Sequence, residues 1–106
     1  MRVASVSVTG TADSAALPLD SLTDGYGDGL YLSVGSGCTA SVQVTPDNIF
    51  DPTVTPNWYA CNVAALTAAT AGLSSGALLQ AARAVRIHQT AGAAASTLKV
   101  VVRGTT

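Results

Sequence analysis

Cys38-Thr39-Ala40-Ser41-Val42-Gln43-Val44-Thr45 runs directly into Pro46-Asp47-Asn48-Ile49-Phe50-Asp51-Pro52 and then Pro56-Asn57-Trp58. Cys38, Ala40, Val42 and Val44 alternate with Thr39, Ser41, Gln43 and Thr45, which is the period of a half-buried strand. A strand feeding a proline-bounded aromatic connector belongs to a small β protein and not to a helical enzyme. The same alternation recurs on both sides. Val6 and Val8 alternate with Ser5, Ser7 and Thr9, which predicts a strand over 2–9. Leu30, Leu32 and Val34 face away from Tyr31 and Ser33, and Gly35-Ser36-Gly37 leads straight into Cys38. Two alternating runs around a short glycine loop predict a β-hairpin. A second hairpin is expected from Arg83–Thr90 and Thr97–Arg103, joined by Ala91-Gly92-Ala93-Ala94-Ala95. In it Val85, Ile87 and Gln89 share one face, and Leu98, Val100 and Val102 point inward.

The rest of the chain is less regular. Leu17-Pro18-Leu19 reads as a short extended piece that its proline keeps off a central position. Trp58-Tyr59-Ala60 reads as a short strand. Between Cys61 and Ala84, Thr, Gly and Ser interrupt an Ala-rich run, so no full helix fits. The expectation there is irregular chain with strand pieces near 64–68 and 77–80, a single helical turn being the alternative. The whole predicts one all-β domain over 1–106, an antiparallel β-sandwich or jelly roll of about six to eight strands.

Composition narrows the function. Charged residues are 10% of the chain, against about 25% in ordinary soluble domains. All six acids are Asp, which suits turns rather than helices. Five basic residues scattered over the chain make no patch for nucleic acid. No apolar run reaches the roughly 18 residues of a membrane span, and Met1–Val8 does not read as a secretory signal. A neutral Ser/Thr/Ala surface is poorly protected against association, and low charge is one of the few compositional marks of an interface core.

No catalytic or metal-binding constellation emerges. Asp24, Asp28 and Gly29 take the first, fifth and sixth places of a calcium loop, but Tyr26 and Gly35 stand where ligands belong. Asp47, Asn48 and Asp51 read as turn-fixing groups. His88, the single histidine, lies on a strand surface away from any evident nucleophile. Cys38 and Cys61 read as reduced and buried. Trp58 reads as packing in the core or at an interface. Arg86, on the less apolar face of its strand, is expected to pair with Asp47 or Asp51. No cofactor and no metal are expected.

These residues also resemble a known group. Val42-Gln43-Val44-Thr45, the connector with Phe50, Asp51, Pro52, Pro56 and Trp58, and the strand Arg83-Ala84-Val85-Arg86-Ile87 are similar to small virion proteins of tailed bacteriophages. The likeness spans about Leu30 to Gly104, with the 61–84 stretch departing from it. It implies a non-enzymatic protein on the capsid surface, in many copies or as a homo-oligomer, that decorates or cements the head. The implied partner is the major capsid protein. Segments 1–9 and 97–106 are candidate contact arms. Arg2, Val3, Phe50, Trp58, Tyr59, Arg86 and Arg103 are the candidate interface residues. Alternatives are a head-fibre base, neck or tail component, or a carbohydrate-binding module with Trp58, Tyr59 and Tyr26 as a stacking platform.

Overall fold

The computed structural model describes residues 2–18, 28–78 and 82–102. The all-β antiparallel expectation holds. Seven strands and one short 3-10 turn (Ala64–Leu66) make up the described chain: β1 (Arg2–Thr9), β2 (Leu17–Pro18), β3 (Asp28–Thr45), β4 (Tyr59–Ala60), β5 (Ala69–Leu78), β6 (Ala84–Ala91) and β7 (Ala95–Val102). All seven belong to one hydrogen-bonded sheet, with β1-β7-β3-β6-β2 as its main path and β4 and β5 on the other side of β3. The sheet curls round its core until it is nearly barrel-shaped.

Both predicted hairpins are corrected. Leu30–Val34 and Cys38–Thr45 are not folded against each other; they are successive parts of the single 18-residue strand β3. Gly29–Ser33 pairs with β7, and Thr39–Thr45 pairs with β6. So β6 and β7 are not partners of each other either. Each takes one half of the same long strand. The two halves form two wings, the first made of β1, β7, Asp28–Val34 and most of β5. The second is made of β2, β6, Thr39–Thr45 and β4.

The wings meet at a crease. Gly10, Gly37, Gly72 and Gly92 all have positive φ, and each lies where its run of chain passes from one wing to the other or ends beside that line. Gly92, at φ +98°, also lacks room: a Cβ there would stand 2.5 Å from Cys38 Sγ and 2.7 Å from Cys38 Cα. Only glycine fits such a backbone and such an approach. Buried polar groups tie the crease. Gln89 Nε2 donates to the carbonyls of Gly10 (2.8 Å) and Ala94 (2.9 Å). Ser96 Oγ donates to Gln89 Oε1 and accepts the Gly35 N–H at 3.1 Å. Gln89 and Ser96 are each 1% exposed, and these bonds offset the cost of burying them.

The alternating apolar residues of both wings form one core. Leu30, Leu32, Leu98 and Val100 enter from the first wing, and Val42, Val44, Val85 and Ile87 from the second, all fully or nearly fully buried. Leu66 and Cys61 join the same cluster. The strand expected near 64–68 is instead the 3-10 turn that delivers Leu66, and the true strand follows it at β5. β2 sits at the end of the sheet path, as its proline requires. The terminal segments pair with each other, Arg2–Thr9 against Ala95–Val102. Arg103, Leu19 and most of the Asp24–Gly29 cluster lie outside the described residues.

Candidate functional site

The outer faces of the two wings offer two candidate surfaces. On the second wing the chain after β1 runs alongside β6. Ser14 N–H donates to Ile87 O and Gln89 N–H to Ala12 O, both at 2.9 Å. This places Asp13 opposite His88. Asp13 Oδ1 contacts His88 Nδ1, and Asp13 Oδ2 lies 3.2 Å from Arg86 Nη1. Arg86 Nε donates to Gln43 Oε1 at 2.9 Å, and its guanidinium sits 4.4 Å from the centroid of Trp58. The expected partners of Arg86 are therefore corrected: Asp13 holds it, while Asp47 and Asp51 are engaged elsewhere. This cluster is self-satisfied. The guanidinium is stacked on one face and bonded through Nε and Nη1 to an amide and a carboxylate.

The 46–58 connector is a built loop. Asn48 Oδ1 accepts the Phe50 N–H at 3.0 Å, and Asp51 Oδ1 accepts the Thr53 N–H (2.9 Å) and hydroxyl (2.7 Å). Asp47 Oδ2 accepts the Asn57 N–H at 2.7 Å and closes the loop. These are the turn-fixing roles expected of the three side chains. The Thr53 backbone and hydroxyl donors hold the Asp51 carboxyl below the ordinary aspartate value. Phe50 is left 75% exposed, and Tyr59 is exposed beside the half-buried Trp58.

Neither thiol hydrogen-bonds to the Asp13–His88 pair. Cys38 Sγ hydrogen-bonds Ser36 O and Ala94 O, and Cys61 Sγ bonds Val63 O. Burial pushes the Cys61 thiol up, the opposite of an activated nucleophile. Both cysteines are free thiols. Among the described residues no group of three or more His, Cys, Asp and Glu is placed to hold a metal ion. No described helix is long and apolar enough to cross a membrane.

The first wing is different. Register places Ser5, Lys99, Tyr31 and Ser75 in one row across its outer face, and Ser7, Thr97, Ser33 and Leu73 in the next. Leu73 is 87% exposed and Tyr31 51%. Between them lies a surface groove of about 690 Å³, lined also by Thr97 and Lys99. Lys99 is the one charge in these two rows. Val3 stands on the same face of β1, 61% exposed. Nothing is described of the Arg2 side chain.

The structure thus brings Trp58 and Arg86 together, leaves Phe50 and Tyr59 exposed, and sets Val3 on the other wing. Asp13, Gln43, Tyr31, Leu73 and Lys99 were not among the candidates read from sequence. Asp13 and Arg86 are joined only by the tertiary path of the 10–18 segment. Leu73 sat in a stretch that shows no alternation. Comparison with known proteins adds no assignment: no protein-family model, no curated protein and no solved structure matches the chain.

Proposed function

We propose that this chain is a structural protein of a tailed-bacteriophage virion, which decorates or cements the head by binding across subunits of the major capsid protein. The observation that carries the reading is the outer face of the first wing. Small hydroxyl residues cover it, Tyr31 and Leu73 stand out beside its groove, and Lys99 is its single charge in the central rows. Interface cores have this character: depleted in charge, with an aromatic anchor beside a pocket. The resemblance in the connector and in the Arg83–Ile87 strand supplies the phage context.

The mechanism is additive. Each copy makes contacts that are weak singly, and engaging two capsid subunits at once raises effective concentration. Many copies distributed over the shell, without catalysis or cofactor, then oppose its expansion. The carbohydrate reading has less support, because the Trp58 ring already carries the Arg86 guanidinium.

The test is occupancy on heads that lack the protein. The purified chain is expected to bind saturably, and Tyr31→Ser with Leu73→Asp to weaken binding at least about tenfold with the melting temperature unchanged. Equal occupancy by that variant, or binding to soluble glycans with none to heads, would overturn the proposal.

A further inference from the structure

The groove on the first wing is shaped by three strands held in register. Ser33 of β3 lies between Leu73 of β5 and Thr97 of β7, and Tyr31 lies between Ser75 and Lys99. The Tyr31 ring is laid back over Gly29, where a Cβ would stand 3.0 Å from Tyr31 Cε2. It therefore leans away from Ser33 and leaves the space above Ser33 open, with exposed Leu73 as a wall. On the other side Thr97 Oγ1 is hydrogen-bonded to Ser7 Oγ at 2.9 Å, which fixes that edge of the floor. The resulting volume of about 690 Å³ is that of a site for a small ligand or a few side chains. Lys99 is exposed on its rim and has no ion-pair partner among the described residues.

We propose that this groove takes an acidic segment of the shell protein, with an apolar side chain seated over Ser33 against Tyr31 and Leu73 and a carboxylate on the Lys99 ammonium. The proposal rests on the head-binding reading of this face and names the chemistry of the partner there. Charge complementarity selects the occupant. The polar side chains that line the groove are hydroxyls, a phenol and an ammonium. All of them can donate, and neither an acid nor an amide stands among them. A carboxylate, which only accepts, satisfies such a set with a charge-assisted bond at its centre. A basic segment would meet Lys99 as a like charge, and a neutral sugar would leave the ammonium without a counter-charge. Leu73, 87% exposed, and Tyr31 supply the apolar anchor beside it, which a small inorganic anion would leave in water.

The test is carbodiimide cross-linking of the whole chain on heads, with Lys99→Gln and Lys99→Arg chains beside it. The reagent joins an amine to a carboxylate in contact with it. The expected product is an amide between Lys99 Nζ and an Asp or Glu of a major capsid subunit, located by mass spectrometry. Lys99→Gln is expected to bind heads about tenfold more weakly, at unchanged melting temperature, and to lose most of the parent's sensitivity to salt. Lys99→Arg is expected to keep both the affinity and the salt dependence. Equal binding of parent and Lys99→Gln, or a Lys99 left unlinked on saturated heads, would overturn the inference and leave the head reading standing. Release of the bound chain by about 1 mM inorganic phosphate at constant ionic strength would assign Lys99 to a small anion and overturn it as well. A parent chain that does not bind heads would overturn both.

Discussion

On the second wing, Arg86 is held at once by Asp13, Gln43 and Trp58. On the first wing, Lys99 has no ion-pair partner among the described residues, and Tyr31, Leu73 and Val3 stand in solvent. The two faces belong to one sheet and share one core. One has settled its polar groups among themselves. The other leaves apolar side chains and a cation in solvent, a character that interface surfaces share. A cluster of charge and aromatic side chains is the more conspicuous feature, yet the plainer face is the better candidate for contact.

Four substitutions probe this contrast, taken from the largest effect downward. The crease is what keeps the faces apart. Gly92→Ala meets both a φ of +98° and the Cys38 backbone, so a loss of about 3 kcal/mol or more is expected in urea unfolding. Gly37→Ala is the control: its φ is +76° but nothing lies within 4 Å of the added carbon, so about 1 kcal/mol is expected. Equal losses would mean that close packing at the crease contributes nothing.

Asp13→Ala removes the acceptor shared by Arg86 and His88 on a partly exposed surface. It is expected to cost about 1 kcal/mol and to leave head occupancy unchanged. Reduced occupancy at unchanged stability would move the contact surface to the second wing.

Asp51→Asn gives the smallest effect. The Asp51 carboxyl lies below the ordinary aspartate value because of its Thr53 donors. Its contribution is therefore present at neutral pH and is lost as pH falls through the folded-state value. The stability difference between parent and variant is expected to shrink towards acid, as followed by thermal melts at stepped pH. A difference that widens towards acid would refute this role.

Much of the core was legible in the sequence. Leu30, Leu32, Val34, Ala40, Val42, Val44, Val85 and Ile87 were placed inward by period alone, and all are buried. Connectivity was not legible, for a definite reason. A hairpin with a three-residue loop puts Val34 opposite Cys38 on the same face, and a straight strand bent at Gly37 leaves them on the same face too. Alternation cannot separate the two. What separates them is that β6 and β7 are both available to β3, which is information about distant chain.

β5 was hidden differently. Its positions opposite Leu30, Leu32 and Val34 are Gly76, Ser74 and Gly72, so the side expected to be apolar is small. Val63 packing on Gly76 is part of why it must be. Of its two large apolar residues, Leu78 is buried at the strand's end and Leu73 points outward from its middle. The inversion that concealed the strand is the same feature that marks the candidate contact face.

Which of the two faces the proposed head contact covers is answered directly by footprinting. Hydroxyl-radical labelling of the free chain and of the chain on intact heads is expected to show Tyr31 and Leu73 protected on the shell, with His88 and Phe50 labelled equally in both. Protection of Phe50 and His88 with Tyr31 and Leu73 still open would contradict it.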